Sequence, residues 1–355
     1  MKVAVIGAGN GGQAIAGWMA SCGCDVSISE CNTSIAEALQ NNRVIELCGC
    51  INVSGTLSNV ETDAAKIVIG ADLIMIATTA SAHATVARQL APVLTDGQVI
   101  VLNPGRTGGA LEFRNTLRLN GCNKRLYIAE AQTLVYACRL QSTGKVHIIG
   151  VKDKVLLSAL PSSDTQHVLD ALRPYFPCFK ACDNVLQTSL ENYGAVFHPA
   201  VVLFNAAAIE RGEQFYFYRD MTPHIAEYIE KLDAERINVG KAYGLDLISA
   251  KDWVSEAYNG IPGDTLCERM RNNPAYYDIL APTNIVCRQL TEDIPTGAVP
   301  FVALGEAAGV DMPAYRSIIS LTDNLLGTDF MHTGRTLHNL GLEGLNRDAI
   351  INHLT

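Results

Sequence analysis

Positive charge is scarce in this chain. Lys and Arg number 27 against 36 Asp and Glu, a formal net charge of −9, and no Lys/Arg cluster forms a basic stripe. That excludes nucleic acid as a main partner. Long apolar runs are missing too: Asp72 interrupts the longest candidate, VIGADLIMIATTA, so no membrane span is expected. Lys2 leads directly into an apolar strand-like run, and no signal peptide is expected. The eleven cysteines include the C-x-C pairs Cys22/Cys24 and Cys48/Cys50, but no C-x-x-C or H-x-x-x-H completes a zinc site. They are expected to be reduced thiols, mostly small core residues, in a cytoplasmic protein without a metal. No repeat, low-complexity tract or long linker appears.

What is present is an apolar fraction of 48% over 355 residues, enough for one large domain or two ordinary ones. The stretch from Val3 to Ala20 organises the rest. Val3, Val5 and Ile6 read as a buried parallel strand. Gly7, Gly9 and Gly12 follow at G-x-G-x-x-G spacing, and Ala14, Ile15, Trp18 and Met19 then recur at helical spacing. Such glycines give a tight turn, room for a pyrophosphate and close helix–strand packing. The diphosphate would rest on free N–H groups at the helix start, with Asn10 in the loop. A second strand ends at Glu30, eighteen residues past Gly12, where a ribose-binding acid belongs.

Strands are expected at Lys2–Ile6, Asp25–Ser29, Leu73–Ala77, Val99–Leu102 and Leu126–Ala129, with helices between them. This alternation implies an α/β fold with a Rossmann-type doubly wound parallel sheet. Shorter β-like runs follow at Val146–Val151 and Lys154–Ala159. From about Val185 alanine-rich helical stretches take over: Ala200–Arg211, Pro223–Tyr243, Ile248–Tyr258, Pro300–Gly309 and Pro313–Leu326. An all-helical second domain is expected, dividing the chain into 1–184 and 185–355. Ligands of such proteins sit at the carboxyl ends of the strands, in the cleft against the second domain.

Three stretches carry chemistry. Asn103-Pro104-Gly105-Arg106-Thr107-Gly108-Gly109 places a glycine-rich loop after a central strand, where Asn103 and Gly105 can approach a nicotinamide. His198, in an apolar run just before Pro199, suits proton exchange, although a histidine there is more often a satisfied core residue. Asp293, in the polar turn from Arg288 to Gly297, could orient an imidazole, or Thr291 or Asp293 could simply cap the next helix. His83 has a capping or surface role as its ordinary reading.

Together these residues resemble the opine dehydrogenase family over nearly the whole chain. The marks are GAGNGG (7–12), NPGRTGGALEF (103–113), YACR (136–139), NYGAVFHP (192–199), DAERINVGKAYGL (233–245), NPAY (273–276), TEDIPTG (291–297) and TDF…GRTLHNLGL (328–342). The resemblance implies a Rossmann domain, a helical domain and reductive condensation of an α-keto acid with an amino group. It implies His198 and Asp293 as the catalytic pair, and Thr133 and Cys138 near the keto acid and nicotinamide. The QTLVYACR segment departs from the family pattern, with Glu130-Ala131 at its start and Tyr136 where some members carry tryptophan.

The expected reaction joins an α-keto acid, such as pyruvate, to an amino acid with NAD(P)H, giving an N-(1-carboxyalkyl) amino acid. Arginine binds carboxylates in a fork, and Arg139, Arg106 and Arg288 are the candidates. Glu30 favours NAD, with NADP as the alternative. The nearly apolar stretches Ala200–Ala208 and Val299–Ala308 lead to the expectation of a homodimer. The competing function is a two-domain dehydrogenase of a hydroxy acid or sugar phosphate, with Lys241 as proton donor. A non-enzymatic NAD(P) sensor is a third class, against which His198 and Asp293 both speak.

Overall fold

The computed structural model describes residues 1–257 and 260–355. Contacts divide them into two units. The first is Met1–Ser189 with Asn339–Gly341 and Asn352–Thr355; the second is Leu190–His338 with Leu342–Ile351. The chain thus changes unit near residue 190, and two short C-terminal pieces belong with the first half. Asn115 Nδ2 donates to Asn339 O at 3.0 Å, and Arg114 Nη2 meets His353 Nε2. No periodicity marks so short a return.

Twelve strands are described in the first unit. They are β1 (Lys2–Ile6), β2 (Asp25–Ser29), β3 (Val44–Gly49), β4 (Val53–Thr56), β5 (Asn59–Glu61), β6 (Leu73–Ile76), β7 (Val99–Leu102), β8 (Tyr127–Ala131), β9 (Tyr136–Ser142), β10 (Lys145–Val151), β11 (Val155–Leu160) and β12 (Phe179–Ala181). Eight of them form one sheet in the order β12-β11-β8-β7-β6-β1-β2-β5. From β8 to β5 every pairing is parallel, as the alternation predicts. Strand β11 runs antiparallel to β8, and β12 runs with β11. The reversal follows from the connection: β11 is reached through a hairpin, not through a helical crossover. β1, β6 and β7 are buried nearly throughout, as strands covered on both faces must be. Burying each Val, Leu or Ile there contributes about 1.5–3 kcal/mol of transfer free energy.

A second sheet, in the order β4-β3-β10-β9, has no counterpart in the sequence expectation beyond the run at 146–151. It is tied to the first helix, Asn10–Ser21. Asn10 Oδ1 accepts from Leu140 N at 2.8 Å, and Gln13 Oε1 from Gly144 N at 2.8 Å.

The second unit is helical. Its principal helices are Tyr193–Phe204, Ala206–Glu210, Pro223–Ala242, Ala250–Ala257, Val299–Ala307 and Pro313–Leu326. Tyr258, the end of one expected helix, lies outside the described residues. The expected helix 200–211 is instead two, parted at Asn205, whose side chain turns back to Val201 O. Pro223 and Pro313 open their helices at the first turn, where a missing N–H costs nothing. Glu235 accepts from Ala314 N and Tyr315 N at 2.7 and 3.1 Å, a carboxylate on a helix N-terminus. Inside this unit Arg236 is wholly buried and donates to Asp233, Leu190 O and Ile248 O. The DAERINVG segment therefore carries an internal ion pair.

The helix 299–307 has Val299, Pro300, Phe301, Val302 and Leu304 buried within its own unit. Its all-round apolarity is that of core. Of the cysteines only Cys24, Cys138, Cys178 and Cys267 are buried, fewer than expected, and all eleven are free thiols. Among the described residues no helix is long and apolar enough to cross a membrane.

Candidate active site

In the first unit the glycine loop has the form a dinucleotide needs. Gly7 stands at φ +94°, and a Cβ on Gly12 would fall 1.7 Å from Gly7 O, so no other residue fits there. In front of Gly9 there is open space. The following helix has no acidic residue in its first turn and no side-chain cap, leaving its first N–H groups to an anion. Glu30 closes the loop from the end of β2: Oε2 accepts from Ala8 N at 2.8 Å, and Oε1 from Asn32 N at 2.9 Å. These residues fit a bound dinucleotide diphosphate and ribose. Asn10 opens the helix, and its side-chain oxygen accepts from Leu140 N at 2.8 Å.

The loop after β7 begins with Asn103, which is buried. Its Nδ2 donates to Val101 O at 3.0 Å, so the side chain braces the strand end. Gly105 N donates to Ala131 O, and Arg106 takes a left-handed backbone at φ +59°. Beneath the loop, Glu130 is wholly buried and accepts from Ala110 N, Thr188 Oγ1 and Ser189 Oγ at 2.7, 2.6 and 2.7 Å. His83 is also wholly buried, not on the surface.

Thr133 lies between β8 and β9 and accepts from Lys152 Nζ at 2.8 Å. Cys138 is buried on β9, its thiol donating to Asn10 O at 3.4 Å, and burial pushes it up to about 11. Neighbouring Arg139 is exposed, opposite His147 of β10. Lys152 is absent from the sequence candidates. It follows an ordinary alternating strand, and a lysine between Val151 and Asp153 reads as a turn.

In the second unit two residues 95 positions apart come together. His198 Nδ1 lies 2.7 Å from Asp293 Oδ2. Asp293 is 2% exposed and His198 27%, so the carboxylate is inside and the imidazole keeps an open edge. Among the described residues Nε2 has no hydrogen-bond partner. Asp293 precedes the turn Ile294–Ala298 but makes no capping hydrogen bond to it, and Thr291 Oγ1 bonds back to Cys287 O. The capping alternative thus has no support in the geometry. Gly297 makes the approach possible: a Cβ there would meet Ala195 Cβ at 2.5 Å, on the helix that carries His198. Tyr193, at the start of that helix, is held through its hydroxyl to Ile248 O and by Arg236 over its ring. Phe217 stands edge-on to His198, with ring centroids 5.9 Å apart. Arg288, another candidate, is ion-paired with Glu292. Lys241 is exposed near the end of the helix 223–242.

The α-helical domain of NAD/NADP octopine/nopaline dehydrogenases matches residues 181–326. The N-terminus of NAD-dependent glycerol-3-phosphate dehydrogenase matches residues 2–105. An opine dehydrogenase of Arthrobacter sp. (strain 1C) is 37% identical over 350 residues, covering 98% of this chain and 97% of the relative. The chain belongs to the opine dehydrogenase family. It is an NAD(P)-dependent oxidoreductase acting on CH–NH donors, and joins an α-keto acid to an amino acid reductively. Vitopine synthase of Allorhizobium ampelinum is 28% identical, covering 99% of both chains. Among solved structures, octopine dehydrogenase with NADH and L-arginine superposes with a TM-score of 0.84 at 24% identity, covering 98% and 97% of the two chains. Yersinopine dehydrogenase with NADP+ gives a TM-score of 0.76 at 14% identity, covering 100% and 97%. These two share the fold of the opine dehydrogenase described here.

Proposed function

We propose that this opine dehydrogenase condenses pyruvate with an amino acid, with His198 as the proton-transfer residue and Asp293 as its partner. The observation that carries the reading is the 2.7 Å contact between His198 Nδ1 and the buried Asp293 Oδ2. A carboxylate on Nδ1 fixes the tautomer with Nε2 free, and it stabilises the imidazolium that forms. The amine attacks the ketone carbon, and His198 takes the proton the nitrogen sheds. It then returns that proton to the carbinolamine hydroxyl, which leaves as water. The bound nicotinamide supplies the hydride that reduces the C=N carbon.

Gly7, Gly9, Asn10, Gly12 and Glu30 would hold the dinucleotide, and Asn103 and Gly105 would shape the nicotinamide end. Glu30 repels a 2′-phosphate, which supports NADH over NADPH. Thr133, Cys138 and Arg139 are assigned to the keto acid, with Arg106 a second cation. Octopine dehydrogenase has been solved with pyruvate, which supports that keto acid here. The sequence resembles N-(1-D-carboxyethyl)-L-norvaline dehydrogenase, so norvaline and similar apolar amino acids head the amine panel. We further propose a cytoplasmic homodimer.

A panel of keto acids and amino acids, scored by oxidation of NADH and of NADPH, tests this reading. The expected result is oxidation only when both substrates are present, with NADH giving the higher kcat/KM. Reduction of a keto acid without the amine would instead establish a hydroxy-acid enzyme. The exposed Lys241 gives that alternative no structural support.

A further inference from the structure

Lys152 follows β10 where the chain turns toward β11. Its backbone N–H donates to Val135 O at 2.9 Å, closing the chain against the segment that joins β8 to β9. Its side chain lies along the same segment: Nζ donates to Thr133 Oγ1 at 2.8 Å and to Leu134 O at 2.7 Å. Leu134 in turn packs on the glycine loop, since a Cβ on Gly11 would fall 2.9 Å from Leu134 Cδ2. The ammonium thus holds the side chain of the residue assigned to the keto acid, but only the backbone carbonyl of Leu134, in a segment that the Lys152 N–H to Val135 O bond also fixes. All of these groups belong to the first unit.

An ammonium has donors and no acceptor. Thr133 Oγ1 must accept from it, so the hydroxyl hydrogen is directed elsewhere. A hydroxyl fixed in this way presents a donor, which is what a carboxylate requires. Burial first, and then the Arg106 guanidinium, lower the Lys152 ammonium to about 8. Two thiols also face it, Cys138 from β9 and Cys178 ahead of β12. Burial raises both, Cys138 to about 11, so they stay neutral where the lysine titrates.

We infer that Lys152 is a positioning residue of the condensation: it sets the Thr133 hydroxyl as a donor to the keto acid's carboxylate and, with Arg106, supplies the positive field that draws that carboxylate in. The inference rests on the opine dehydrogenase reading above. It assigns to Lys152 an effect on one substrate of the three, and an affinity for that substrate that falls as pH rises and the lysine loses its proton.

The probe is oxamate, a non-titrating pyruvate analogue, as a competitive inhibitor of the NADH-saturated enzyme from pH 7 to 9.5. In the wild type its Ki should rise above about pH 8. Lys152→Met should raise Ki about tenfold at neutral pH and abolish the pH dependence, as expected for loss of a charge-assisted hydrogen bond. NADH affinity and amine KM should change by less than about threefold, within the spread of uncoupled sites. Lys152→Arg should restore much of the affinity and stay flat with pH. Thr133→Val should also raise Ki but keep part of the pH dependence, because the Lys152 charge remains, and the double variant should be little worse than Lys152→Met.

A wild-type Ki that is flat with pH overturns the inference, as does a Lys152→Met enzyme with unchanged Ki. Oxamate, amine and NADH affinities that fall together also overturn it, because they mark a strut with no part in keto-acid recognition. Should Lys152→Met not fold, Lys152→Arg and the wild-type profile decide. A wild type that turns over no keto acid–amine pair sinks the parent reading, and this one with it; turnover with an unchanged Ki sinks this one alone.

Discussion

At the scale of the residue, His198 and Asp293 form a unit, and their variants should show it. His198→Ala should lower kcat by about 10²–10⁴-fold, the usual contribution of a positioned acid–base group. NADH binding should be nearly unchanged, since the glycine loop and Glu30 lie in the other unit. Asp293→Asn keeps the shape yet permits the wrong tautomer, so it too should be severe. Groups acting as a unit are non-additive, and the double variant should be little worse than His198→Ala. Steady-state kinetics checks this. Losses that multiply, or near-normal turnover in Asp293→Asn, would show that the 2.7 Å contact is structural.

At the scale of the element, the loop after β7 stands on Glu130. That carboxylate caps the helix Gly109–Leu119 through Ala110 N and holds the hydroxyls of Thr188 and Ser189. Glu130→Gln would turn an amide N–H₂ toward donors, and each buried donor left without an acceptor costs about 1–3 kcal/mol. Thermal unfolding should show a Tm lower by several degrees, with the loss of nicotinamide-dependent activity following it. In the sequence, the parallel strands and the glycine loop are legible because their apolar runs and glycine spacing are local. The second sheet is not. β3, Val44–Gly49, does alternate, with Ile45 and Leu47 buried and Glu46 exposed, but six residues carry little periodic signal. β4 has Gly55 at its centre, which reads as a turn. The partner of Asp293 is illegible for a different reason: proximity across 95 residues depends on Gly297 packing at Ala195, and no spacing encodes it. Glu130 marks the same limit, since a wholly buried acid looks in sequence like any strand-end polar residue.

At the scale of the whole molecule, the apolar helix 299–307 buries its large side chains and leaves only Ala303 and Ala307 partly exposed among its apolar ones. The exposed apolar side chains lie elsewhere, among them Phe204, Leu321 and Leu325. A homodimer would bury some of these. Light scattering should find a species of twice the 38.2 kDa chain mass at micromolar concentration, and a monomer alone would remove the proposal. The bonds that brace the first helix have another consequence. Asn10 is tied to Leu140 and Cys138, and Gln13 to Gly144, across 128 to 131 residues of chain. On the ribosome, the amino-terminal third emerges with its glycine loop intact in sequence but without these anchors. The nucleotide cradle therefore matures only when the β9–β10 hairpin has been synthesised and docks, so a nascent chain halted before residue 140 should bind no NADH.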